Sequence, residues 1–128
     1  MPVTPTVFAL IGTSQGSPLS SIANNATSTS SVTEFGSSSS AAEGMLFVQF
    51  TGAGTSGSFD VTIDPEPDSS GGFSAPAVTI SIPPIASAQK LAYGPYPLAR
   101  WGQIRATNNG TGGNLTNIYI EIQVNRYS

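Results

Sequence analysis

The sequence predicts an all-β fold, an antiparallel β-sandwich of jelly-roll type with seven to eight short strands and an extended N-terminal arm. Residues 1–30 read as that arm or as an edge segment, and residues 31–128 as the sandwich body. Three observations carry this. No long window sustains an i, i+3, i+4 apolar pattern. Fourteen glycines and ten prolines punctuate the 128 residues at short intervals. Between them lie segments in which β-branched residues alternate with polar ones, the mark of half-buried antiparallel strands.

Taken in chain order, "TVFALIG" near the start and "SSVTEFG" before Gly36 are the weaker strand candidates. The stretch from Ser14 to Ser40 between and around them is polar and nearly low-complexity, suited to an extended arm lying on the body or on a neighbour. "GMLFVQF" (44–50) is apolar on both faces and reads as a central strand, or as one whose outer face is covered. "SFDVTID" sets Phe59, Val61 and Ile63 on one face against Ser58, Asp60 and Thr62 on the other. "AVTISIP" repeats the pattern with Val78, Ile80 and Ile82, and "NIYIEIQVN" with Ile118, Ile120, Ile122 and Val124. "RWGQIRATN" places Trp101 and Gln103 opposite Ile104 and Ala106 unless Gly102 introduces a bulge.

The connections carry turn chemistry. "TGAGTSG" offers three glycines for positive φ. "DPEPDSSGG" reads as an exposed loop, because Pro65 and Pro67 cannot donate ladder hydrogen bonds. Gly94, Pro95 and Pro97 in "YGPYPL" form a rigid corner. "NNGTGGN" contains an Asn-Gly step and reads as a hairpin turn between the last two strands.

Composition excludes much chemistry. The chain holds no cysteine and no histidine, which removes disulfides, thiolate catalysis, and the commonest general base and metal ligand. Only 9% of residues are charged, against about 25% in ordinary soluble domains. With four Lys plus Arg and a net charge of -3, no dense cationic face for nucleic acid can form. No run approaches about 18 apolar residues, so no membrane helix is expected. The apolar run Val7–Ile11 is too short for a signal peptide, and synthesis in a cytoplasm is expected.

Candidate sites are few. Asp64, Glu66 and Asp68 lie two apart, a spacing that can converge on Ca²⁺, but the later glycine and glutamate of a calcium loop are missing and a solvated acidic loop is favoured. Glu34, Glu43, Asp60 and Glu121 have no fixed spacing for paired-carboxylate catalysis, so no enzyme and no cofactor is expected. Asn25, Asn109 and Asn114 match the glycosylation sequon and read as turn residues. Tyr93, Tyr96 and Trp101 raise two options, a platform that stacks sugar rings or an anchor in packing or at a subunit interface. The second is favoured for a lone tryptophan at a strand entrance. With Val7, Phe8 and Leu10 of the first apolar run they form the set expected to meet a partner or subunit. Arg100 and Arg105 are expected on opposite faces and not in one patch.

The order of features in residues 30–128 resembles small β-sandwich virion proteins of tailed bacteriophages. The residues that carry it are "EFGSSSSAAEGMLFVQFTGAGTSGSFDVTIDPEPDSSGG", then "GPYPL" feeding a strand closed by "NNGTG". The resemblance implies a capsid decoration (cement) protein that binds the outer surface of an assembled head as a homotrimer. Its partner would be the major capsid protein, with no nucleic-acid or membrane role. A head–tail joining or tail position, or a carbohydrate-binding module, are the alternatives.

Overall fold

A computed structural model describes residues 5–52, 54 and 56–127, which form ten strands and no helix. They are β1 (Thr6–Ile11), β2 (Leu19–Ile22), β3 (Thr27–Thr29), β4 (Thr33–Glu34), β5 (Ala41–Thr51), β6 (Ser58–Glu66), β7 (Val78–Ile82), β8 (Ala88–Leu98), β9 (Trp101–Asn109) and β10 (Leu115–Tyr127). One antiparallel sheet runs β1-β10-β5-β8, with β2 continuing the β1 edge along β10. The other runs β3-β9-β6-β7, with β4 continuing the β3 edge along β9. The ten strands thus fill eight positions, and every connection except β6–β7 and the two edge breaks carries the chain from one sheet to the other. That connectivity is a jelly roll.

Period-two patterning places the core as expected. Phe59, Val61 and Ile63 of β6, Ile104 and Ala106 of β9, and Ile118, Ile120, Ile122 and Val124 of β10 are buried between the sheets. Leu46, Val48 and Phe50 enter from β5, which is central between β10 and β8. Phe50 and Phe59 touch across the sandwich with ring centroids 4.8 Å apart. Each such side chain contributes about 1.5–3 kcal/mol on burial. Phe35, from the weaker candidate "SSVTEFG", is also wholly buried and meets Phe8 of β1 edge to face at 5.8 Å.

Several local expectations are corrected. "NNGTGGN" is not a hairpin turn: β9 and β10 belong to different sheets, and the segment is a crossover over the rim of the core. "YGPYPL" is not a corner but lies inside β8, at the edge of its sheet, where prolines leave no partner strand unpaired. The turn falls instead at residues 99–100. Asp64, Pro65 and Glu66 belong to β6, paired with Gln103, Gly102 and Trp101. The carbonyl of Ile63 accepts the Ala77 N–H on the β7 side, so alternation turns the Pro65 nitrogen to that same side. Pairing with β7 ends at Ile63–Val78, so the missing donor at Pro65 breaks no ladder bond. Gly102 makes no bulge, since β6 and β9 pair without interruption. A Cβ there would stand 2.7 Å from the Phe35 ring, and glycine lets that ring lie against the strand.

Two polar clamps tie the sheets together. Arg126, near the end of β10, donates from Nε to the Phe35 carbonyl (2.7 Å) and from Nη2 to the Glu34 carbonyl (2.8 Å). Elsewhere, Asn108 ends the inner face of β9 fully buried. Its Nδ2 donates to the carbonyls of Ile22 (2.9 Å) and Gly113 (2.7 Å), and its Oδ1 accepts the Thr111 hydroxyl (2.5 Å). Its backbone pairs with Ala26 and Asn25. Through its amide and its backbone, Asn108 therefore joins β2, the approach to β3 and the last crossover.

Asn108→Ala is expected to lower unfolding free energy by about 2–4 kcal/mol, because it removes the amide's hydrogen bonds to Ile22, Gly113 and Thr111 at the rim of the core. Asn114→Ala, at an exposed position of the same crossover, should change it by under about 0.5 kcal/mol. Urea denaturation of the two variants checks the contrast.

Candidate functional site

The outer face of the β1-β10-β5-β8 sheet carries a shallow groove of about 320 Å³. Strand register builds it row by row. Tyr119 of β10 lies opposite Gln49 of β5, which lies opposite Lys90 of β8. In the next row Glu121, Phe47 and Ala92 align across the same three strands. Phe47, Ala92 and Tyr119 give an apolar floor, and Gln49, Lys90 and Glu121 give polar walls.

Hydrogen bonds fix these side chains. The Tyr119 hydroxyl donates to Glu121 Oε1 (2.9 Å), and Gln123 Nε2 donates to Glu121 Oε2 (3.0 Å). Gln49 Nε2 reaches the carbonyls of Gln15 and Asn117 at 3.3 Å each, and Lys90 Nζ donates to Gln15 Oε1 at 3.3 Å. The loop of residues 12–18 is thereby pinned as one wall. Burial, and then the bond to the Glu121 carboxylate, push the Tyr119 phenol from 10.0 up to about 12. It stays a neutral donor through the physiological range.

The outer face of the other sheet is organised by ion pairs. Asp64 is wholly buried there. It accepts a two-pronged contact from the Arg105 guanidinium and a hydrogen bond from the Thr62 hydroxyl at 2.9 Å. Glu66 accepts the Phe73 N–H at 2.9 Å, and Asp68 caps the Ser70 N–H at 2.8 Å. The three carboxylates expected in one solvated loop thus do separate jobs, two of them buried. Among the described residues no group of three or more acidic side chains is placed to hold a metal ion.

The six residues expected at an interface do not share one surface. Tyr93 and Tyr96 pack against the core from β8, and Phe8 and Leu10 do so from β1. Trp101 lies on the outer face of the opposite sheet, with the Arg100 guanidinium 5.6 Å from its ring centre and Arg100 bound to Glu34 at 2.8 Å. Val7 alone of the six is strongly exposed, beside Gln123 on the grooved sheet. Sequence reasoning missed the groove, because its rows exist only once three strands distant in the chain are in register. It also missed Phe73, the most exposed large apolar side chain of the described residues at 57%. An aromatic following two glycines in a polar loop was the available signal.

The described residues thus form an all-β jelly roll whose two outer faces carry a shallow groove on one side and an ion-paired surface on the other. No protein-family model matches the chain, and no curated protein is similar to it in sequence. Among solved structures, PRD1 vertex protein P5 is similar in fold, with a TM-score of 0.59, 15% identity and 100% of both chains covered. The likeness is one of fold, to a phage vertex protein, from end to end of the chain.

Two outcomes test the site electrostatics. Below pH 10 the Tyr119 phenol is protonated in folded and unfolded chain alike, and its stabilisation is complete. Between about 10 and 12 the unfolded chain releases a proton that the folded one retains, so stability falls across that window. Tyr119→Phe should flatten part of this alkaline loss in urea titrations run at successive pH values. Arg105→Ala should destabilise the fold by about 3–5 kcal/mol, because it leaves Asp64 charged and buried without its partner. Calorimetry of that variant is the check.

Proposed function

We propose that this chain is a structural, non-enzymatic component of a phage particle, acting as a capsid decoration protein. In this reading it is made in the host cytoplasm and binds the outer surface of the assembled head as a homotrimer. There it reinforces joints between major capsid protein subunits. The observation that carries the proposal is the match of the whole chain to the fold of a vertex protein. The internal chemistry is in keeping with it. Arg100 and Arg105 engage carboxylates, Arg126 engages backbone carbonyls and Lys90 engages a glutamine, so the cations serve rigidity. A decoration protein needs a rigid body and many modest contacts that symmetry multiplies, and trimerisation makes three attachments one avid event.

The name of the structural neighbour favours a second position, at the vertices of the shell. A carbohydrate platform gains less support, since Tyr93 and Tyr96 are turned into the sandwich and Trp101 lies on the other sheet. Val7, exposed on the grooved sheet, is the member of the expected interface set best placed to touch the shell.

Quantitative mass spectrometry of purified virions separates the positions. A copy number that scales with the capsid lattice is expected for decoration, and one that scales with the vertices selects the second position. Absence from the particle, together with failure of intact capsids to deplete the purified protein from solution, would sink both.

A further inference from the structure

We propose that copies of this chain join head to tail, with the Phe73 side chain of one copy seated in the Phe47–Ala92–Tyr119 groove of the next. The proposal rests on the reading that the chain works as a multimer, and it names the two surfaces that meet.

Phe73 is held out by construction. It lies on the β6–β7 connection, where its N–H donates to Glu66 Oε1 at 2.9 Å, and Glu66 is itself only 5% exposed. The turn before it is closed by Ser70 N–H to Asp68 Oδ1 at 2.8 Å. Gly71 and Gly72 then take φ of 68° and 96°, a region that side chains other than glycine rarely adopt. The backbone at Phe73 is therefore anchored to a buried carboxylate while the ring stands in solvent. A large aromatic presented on a fixed backbone has little ordering entropy left to lose on contact, which is what an interface anchor requires.

The groove matches that knob in size, and its two oppositely charged walls set an orientation. An enclosed apolar cavity of about 150 Å³ accepts benzene, so a groove of about 320 Å³ with an apolar floor has room for a benzyl group. Lys90 at its rim bonds the Gln15 amide oxygen and no carboxylate among the described residues. Asp68, exposed five residues before Phe73, supplies a negative charge on the same connection as the knob. The opposite wall carries the Glu121 carboxylate, so the knob's acidic neighbour is directed to the Lys90 side of the aromatic floor. The knob lies on a connection between strands of one sheet and the groove on the outer face of the other, so two different surfaces meet. The contact is heterologous, and its repetition closes into a ring when the rotation between copies permits.

Light scattering coupled to size-exclusion chromatography tests this on the whole chain, using wild type, Phe73→Ser and Ala92→Trp. Ala92 is exposed on an edge strand, so a tryptophan there fills the groove without entering the core; circular dichroism and thermal midpoints confirm that both variants fold. Wild type should run as a closed oligomer. Each variant alone should associate at least about tenfold more weakly, as expected for loss of an aromatic anchor. An equimolar mixture should form a heterodimer, because one partner retains the groove and the other the knob. Unchanged mass for Phe73→Ser overturns the proposal, as does failure of the mixture to pair. Loss of capsid binding by Phe73→Ser with its mass intact assigns the knob to the shell protein and also overturns it. A monomeric wild type removes self-association altogether, while leaving binding to particles to be judged by the virion measurement.

Discussion

The buried amide of Asn108 is the interaction on which the architecture turns. A jelly roll passes its chain repeatedly from one sheet to the other, and each crossing takes peptide groups out of a ladder at the rim of an apolar core. Unpaired there, each would cost about 1–3 kcal/mol. Asn108 answers several at once, with both amide hydrogens and the amide oxygen engaged and its own backbone paired to Asn25 and Ala26. Arg126 performs a similar task for the carbonyls of Glu34 and Phe35. Both residues carry planar donor groups that can bind two carbonyls, and each does so here.

This explains how a chain with 9% charged residues remains well specified. Its cationic side chains are all engaged within the molecule, some of them on exposed faces. Asp64 and Arg105 lock adjacent strands on one outer face, while Glu34 is shared between Arg100 and, through its carbonyl, Arg126. The remaining surface is dominated by hydroxyls, amides and small side chains, which lose less solvation than charges when a partner covers them. The result is a rigid body with a surface that a partner can cover at low desolvation cost.

The strands were legible in the sequence and the crossovers were not. β6, β7, β9 and β10 announce themselves because period-two alternation is a local signal, and the buried set from Phe59 to Val124 follows directly. "NNGTGGN" misled because an Asn-Gly step has the same local chemistry whether the chain returns to the same sheet or leaves it. Pro65 misled because its tolerance depends on where β7 stops pairing, a property of another strand. Phe35 sits in a segment with almost no periodicity, and its burial depends on the room left by Gly102 across the sheet. Of the candidate surface, individual residues such as Tyr119 and Glu121 were visible as outward-facing, but their rows with β5 and β8 are fixed only by long-range register.

The edges of the sandwich bear on how it can meet a partner. A long, flat free edge invites pairing with any other chain, yet each edge here is interrupted. The β1/β2 edge is broken by the detour of residues 12–18, and the β3/β4 edge by residues 30–32. β7 has five residues and is followed by Pro83 and Pro84. β8 is long, but it carries Lys90, Pro95 and Pro97, and its pairing shifts register between Gly44 and Leu46 of β5. Open-ended strand addition is therefore discouraged on every side, without a partner having to cover the edges. What remains for association are faces and loops, whose contacts are set by side-chain shape and charge and so can be limited to a closed number of copies. That restriction matters because a single permissive edge would let copies pair without limit and convert the folded protein into aggregate.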